Sequence, residues 1–101
     1  MAEEQLPSEE DLRKALDQLR IADVLLSAMT TTASLGFRRL SSEARDLAQA
    51  RLAVEALRAL EPVVREAGVD EEVVRDLEQA RANLQLAYAS AVAEDEIPAD
   101  G

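Results

Sequence analysis

The sequence contains no histidine, no cysteine and no tryptophan, and it has one tyrosine, one phenylalanine and one lysine, Lys14. Histidine is the commonest general base and metal ligand, and the cysteine thiolate is a strong nucleophile. The chain therefore lacks the residues that small enzymes most often use for catalysis and for binding metals. Without cysteine there is no disulfide framework. We therefore expect no enzymatic activity and no catalytic residues, no metal and no cofactor.

Long apolar runs are also missing. Residues 1–20 contain no apolar run of the kind found in a secretory signal peptide. The longest uncharged stretch, residues 24–37, is too short for a membrane span and is rich in serine and threonine. These features predict a cytoplasmic protein that does not enter the membrane.

Acidic residues outnumber basic ones, 21 to 11, which gives a formal net charge of −10. Five of the acids lie in residues 1–11 and four in residues 94–101, whereas residues 12–93 are nearly neutral. Acidic ends of this kind are typical of solvated tails. No basic face is interleaved with aromatic residues, so we expect no direct binding of nucleic acid.

Apolar residues recur every seventh position in the first part of the chain. Two such rows alternate along the same stretch of chain. Together they give the pattern of a helix that buries one side against other helices. The first row consists of Leu12, Leu19, Leu26, Ala33 and Leu40, and the second of Ala15, Ala22 and Met29. Two further rows downstream make the fold class all-α.

Local signals place three helices, at residues 8–36, 43–67 and 70–93. Ser8, Asp46 and Asp70 are the expected N-caps, because their side chains accept hydrogen bonds from the free N–H groups of a first helical turn. Gly36 is the expected end of the first helix, and Pro62 predicts a bend in the second. Short connections favour an antiparallel three-helix bundle. The acidic tails, residues 1–7 and 94–101, are expected to be disordered.

Two segments, residues 24–37 and 82–93, carry no charge at all. In an antiparallel bundle they lie at the same end, which predicts an interface for self-association or for a protein partner. Two other interpretations remain open: the segments complete the core of one chain, or they line a small-molecule pocket. The candidate interface residues are Met29, Thr31, Phe37, Leu86, Tyr88 and Ala89.

The run Leu12-Arg13-Lys14-Ala15-Leu16-Asp17 resembles the L-R-x-x-I-D opening of the all-helical chorismate mutases. That family needs an arginine a few residues beyond a pair of leucines to hold a substrate carboxylate. Here Leu25 and Leu26 are followed by residues 27–31, Ser-Ala-Met-Thr-Thr, and the arginine is missing. A small helical enzyme or ligand-binding module is the alternative prediction. It is disfavoured because this arginine is missing.

About two-thirds of the chain resembles a family of short bacterial helical proteins catalogued only as a domain of unknown function. Residues 46–57 fit its motif D-L-x-x-A-R-x-x-[IV]-[DE]-x-L, Ser27 precedes the pair Leu35-Gly36, and residues 84–88 read L-Q-L-A-Y. The chain departs from the family at Gln85, where arginine is usual, and in the turn at residues 67–70. The resemblance implies a bacterial helical protein and no established activity. We predict a protein that acts by protein–protein contact and forms homo-oligomers.

Overall fold

The computed structural model describes residues 8–96, which form four α-helices and no β-strand. The all-α class is therefore confirmed for this part of the chain. The predicted tail at residues 1–7, and residues 97–101 of the other tail, lie outside the described residues. The helices are α1 (Glu9–Gln18), α2 (Ile21–Arg38), α3 (Leu47–Glu66) and α4 (Glu71–Glu96).

A three-helix core forms from α2, α3 and α4, each of which packs against the other two. Its largest fully buried side chains come from all three helices: Met29 from α2, Leu57 and Val64 from α3, and Leu84 from α4. Partly buried leucines at residues 25, 26, 40 and 60 pack around them. The predicted three-helix bundle is thus correct only in part, because the described residues form four helices and the beginning of the predicted first helix lies outside this core.

The prediction of one helix over residues 8–36 is wrong, because the chain breaks at Leu19 and Arg20, which are both extended with ψ near 140°. Neither residue is a helix breaker. A continuous helix over residues 8–36 would be about 44 Å long, whereas α2, α3 and α4 span about 27, 30 and 39 Å. Among the described helices, α1 contacts none of the others and buries no residue.

The prediction that Gly36 ends the first helix is wrong. Gly36 lies inside α2, and it is buried against the bundle. A Cβ atom on Gly36 would lie 2.8 Å from Leu84 Cδ2 and 2.9 Å from Ala53 Cβ. The missing side chain therefore lets α2 come close to α3 and α4 together. The helix continues to Arg38, with Arg39 as its C-cap.

The ends of the other helices follow from local hydrogen bonds. The Ser8 hydroxyl accepts from Asp11 N at 3.1 Å, Asp46 Oδ1 accepts from Gln49 N at 3.2 Å, and Asp70 Oδ1 accepts from Glu72 N at 2.8 Å. Two predicted bounds need correction. The third helix, α3, begins at residue 47 rather than 43, and α4 runs to residue 96 rather than 93, so residues 94–96 are helical and not part of a disordered tail. Pro62 is accommodated within α3.

Gly68 closes α3 with a positive φ of 80°. The Gly68 N–H donates to the Arg65 carbonyl and the Val69 N–H to the Val64 carbonyl, which is the Schellman arrangement of a helix end. Val69 packs against the core, so the turn into α4 is fixed by both hydrogen bonds and burial.

The molecule is elongated. Its radius of gyration is 18.4 Å, compared with about 13 Å for a compact domain of this length, and it extends over 63 × 39 × 17 Å. The projecting α1 contributes to this shape, because the other three helices pack together and it does not.

Candidate interaction surface

Three leucines are exposed in α1 and directly after it. Leu12 and Leu16, one turn apart in α1, are 50 and 66% exposed, and Leu19, the C-cap of the helix, is 55% exposed. The capping box between Ser8 and Asp11 holds the first turn. A helix of ten residues is marginal in water unless its apolar side is covered. We name α1 with its row of leucines the arm.

A groove of about 400 Å³ lies between α2 and α3. Leu35 and Leu52, which are 55 and 62% exposed, belong to its lining. Three small residues also line it, namely Gly36, Ala53 and Ala56. Arg39 is the one charged residue that lines this groove, which we name the α2–α3 groove.

Two further depressions, of about 610 and 370 Å³, adjoin the groove. One shares Thr32 with the groove and extends along α2 past Thr31 to Val24 and Leu19, at the base of the arm. The other shares Leu52 and includes Tyr88 on α4. The groove and both depressions thus form one mainly apolar surface that starts at the arm and crosses three helices.

The candidate interface residues are not brought together as one patch. Met29 is fully buried in the core, so it has no surface left for a partner. Thr31 and half-buried Tyr88 line the depressions on either side of the groove. Phe37, Leu86 and Ala89 are exposed and line none of these three sites.

Only some residues of the two uncharged segments, 24–37 and 82–93, belong to the core of the chain. In residues 24–37, Met29, Ala33 and Gly36 are buried, and in residues 82–93 so are Leu84 and Ala91. The other residues of both segments retain exposed surface. An uncharged exposed remainder is what an interface requires.

A carboxylate and a guanidinium meet in a partly buried position between α3 and α4. Glu61, 7% exposed, accepts two hydrogen bonds from Arg81, at 2.8 Å from Nε and 3.3 Å from NH2. The hydrogen bond to Glu61 raises the pKa of Arg81 above its ordinary value, against the effect of partial burial. Because Glu61 lies on α3 and Arg81 on α4, their pairing joins the two helices.

Other chemistry is sparse. Within residues 8–96 no cluster of acidic side chains is arranged to hold a metal ion. Arg13, in the run that resembles the chorismate mutases, is exposed on the arm. Over the same residues, no helix combines the length and hydropathy needed to cross a bilayer.

Comparison with known proteins finds no match: neither a family model, nor a curated protein, nor a solved structure is similar to this chain. The geometry of the apolar surface is therefore the main guide to function.

Sequence reasoning missed Leu16, Leu35 and Leu52, the most exposed leucines of the arm and the groove. Leu16 and Leu35 lie outside the seven-residue rows that indicated burial, and Leu52 lies outside the apolar row of its own helix. A large apolar side chain that does not fit the periodicity of its helix is the signal that would have found them.

Proposed function

We propose that the protein acts through protein–protein contact and self-associates through the arm and the apolar surface beside it. The observation that carries the proposal is the arm itself, a short amphipathic helix whose three leucines are uncovered in the single chain. Exposed contiguous apolar surface of this kind marks interaction sites in soluble proteins. We place the protein in the cytoplasm of a bacterium, in line with the resemblance to short bacterial helical proteins.

Sedimentation equilibrium over a range of micromolar concentrations tests the proposal. The wild-type chain is expected to show a mass above that of one chain, because association removes the leucines from water. The double variant Leu12→Asp/Leu16→Asp is expected to sediment as a monomer with an unchanged bundle, since neither residue packs in the core.

The matched control adds the same charge on the other side of the arm. Lys14 and Gln18 lie away from the leucines at 100° per residue, so Lys14→Gln/Gln18→Asp should leave the mass unchanged. A wild-type mass equal to one chain at high micromolar concentration would contradict self-association.

A second surface is tested separately. Leu86 is 69% exposed on α4 and was a candidate interface residue from the sequence. If Leu86→Asp dissociates the protein and the arm variant does not, then the interface lies on α4 and the arm has another role.

A further inference from the structure

We infer that the arm of one copy occupies the α2–α3 groove of a second copy, so that two chains exchange their arms. The inference rests on the proposed self-association and names its geometry. Three observations indicate that the arm in the groove comes from a second copy of this chain. They are the reach of the arm, the similar lengths of arm and groove, and the opposite charges of the two.

The arm cannot fill the groove of its own chain. Its helix, α1, is about 15 Å long and is separated from α2 by two residues, the C-cap Leu19 and Arg20. Folded back along α2, it would cover that helix only as far as about residue 31. The groove begins at Thr32 and ends near Arg39, about 16 to 27 Å from the start of α2. An arm in this groove therefore comes from another molecule.

The dimensions of arm and groove agree. Leu12 and Leu19 are separated by seven positions, about 10 Å along a helix, and the groove lining spans the same separation on each side, from Thr32 to Arg39 and from Gln49 to Ala56. Small residues in the groove leave space for the leucine side chains, while Leu35 and Leu52 supply the apolar contact.

The charges at the two sites are complementary. The first turn of the arm carries Glu9, Glu10 and Asp11, and the groove has Arg39 at one end with no acid in its lining. An arm whose first turn lies at Arg39 runs antiparallel to α2 of the partner. Its last residues then reach the level of Thr32, where the groove opens into the depression beside Leu19.

Disulfide trapping tests this geometry, because the chain has no cysteine of its own. Leu16 and Leu52 are both exposed, so Leu16→Cys and Leu52→Cys should fold normally. The two single variants are mixed in a buffer of reduced and oxidised glutathione, and the linked species are separated by mass. We expect the Leu16→Cys to Leu52→Cys heterodimer to form faster than either homodimer.

Matched pairs define the background. Lys14→Cys, on the other side of the arm, with Leu52→Cys, and Leu16→Cys with Leu86→Cys, should link no faster than random collision allows. Faster linkage of Leu16→Cys to itself would show that arms pair with arms and would overturn the inference. If the wild-type chain is dimeric by sedimentation and the heterodimer fails to form, then self-association stands and arm exchange is wrong. A wild-type chain that is monomeric would contradict both self-association and arm exchange.

A charge reversal gives an independent measurement. Arg39→Glu and Glu9→Arg/Glu10→Arg should each raise the dimer dissociation constant about fivefold, which is typical of exposed charge pairs. The combined variant should recover most of the loss, because the reversed charges again attract. If the increases in the dissociation constant simply multiply in the combined variant, the first turn of the arm does not lie near Arg39 and the predicted geometry is wrong.

Discussion

At the scale of single residues, the absence of one side chain sets how closely the core helices pack. Gly36 is buried where α2 meets both α3 and α4, and the space that its Cβ would take is occupied by Leu84 and Ala53. The sequence showed the glycine and suggested a helix end, which is its commonest role near a run of periodic residues. The alternative role, close packing, depends on residues of two other helices and is not visible locally.

We expect Gly36→Ala to destabilise the bundle by about 1–2 kcal/mol. The overlap with Ala53 Cβ is relieved only by moving a helix, and overpacking of this kind costs about 1–3 kcal/mol, partly offset by the better helix propensity of alanine. Urea unfolding followed by circular dichroism measures the change. Ser34→Ala, at an exposed position of the same helix, is the control; an equal effect of both substitutions would contradict the packing role.

The Glu61–Arg81 pair gives a second prediction at this scale. Glu61→Ala is expected to cost about 1–3 kcal/mol, because it leaves a partly buried guanidinium without its partner. The double variant Glu61→Ala/Arg81→Ala should cost less than the sum of the single ones. The Arg65–Glu78 pair, whose side chains are more exposed, serves as the comparison and should contribute less than about 1 kcal/mol. Additivity in the Glu61–Arg81 cycle would show that the pair is not coupled.

At the scale of helices, the interiors were easier to predict than the ends. Periodicity located most of α2, α3 and α4, because buried positions repeat along a helix that has neighbours on one side. The same periodicity runs without interruption through Leu19 and Arg20, where the structure has a break. A repeating pattern shows which side of a helix is apolar, but it does not show whether another helix packs against that side, and none of the described helices packs against α1.

The end of α4 was also misjudged, for an electrostatic reason. Arg45, in the connection between α2 and α3, donates to the Ala91 carbonyl and to the carboxylates of Glu94 and Asp95, at 3.3–3.4 Å. Its partners are about fifty residues away in sequence, so no local pattern shows them. These contacts hold a highly charged final turn against the bundle.

A chain that stops at Ala93 should therefore be less stable than one that stops at Glu96, by about 1 kcal/mol. The loss should appear in thermal unfolding at low salt and shrink at high salt, because the contacts are ionic and partly exposed. In the background of Arg45→Ala the two chains should have the same stability. A salt-independent difference would mean that helix length, rather than Arg45, is responsible.

At the scale of the whole molecule, stability is predicted to depend on protein concentration. The arm adds no buried residue to its own chain, so its apolar side gains cover only on association. The midpoint of thermal unfolding should rise with concentration for the wild-type chain and stay constant for Leu12→Asp/Leu16→Asp. A chain that begins at Ile21 should remain helical, unfold cooperatively and show no concentration dependence. Loss of folding in this shortened chain would show that the arm is needed within the single bundle.

The tight turn at Gly68 has a consequence for the order of folding. It joins α3 and α4 through local hydrogen bonds, and the Glu61–Arg81 pair then closes only twenty residues of chain. Contacts near in sequence form early because little loop entropy is lost, so the α3–α4 hairpin should assemble before α2 docks. Substitutions at Val64 should then slow folding, whereas those at Met29 should mainly accelerate unfolding. An arm that joins neither step is left free for the exchange between two folded bundles that we propose.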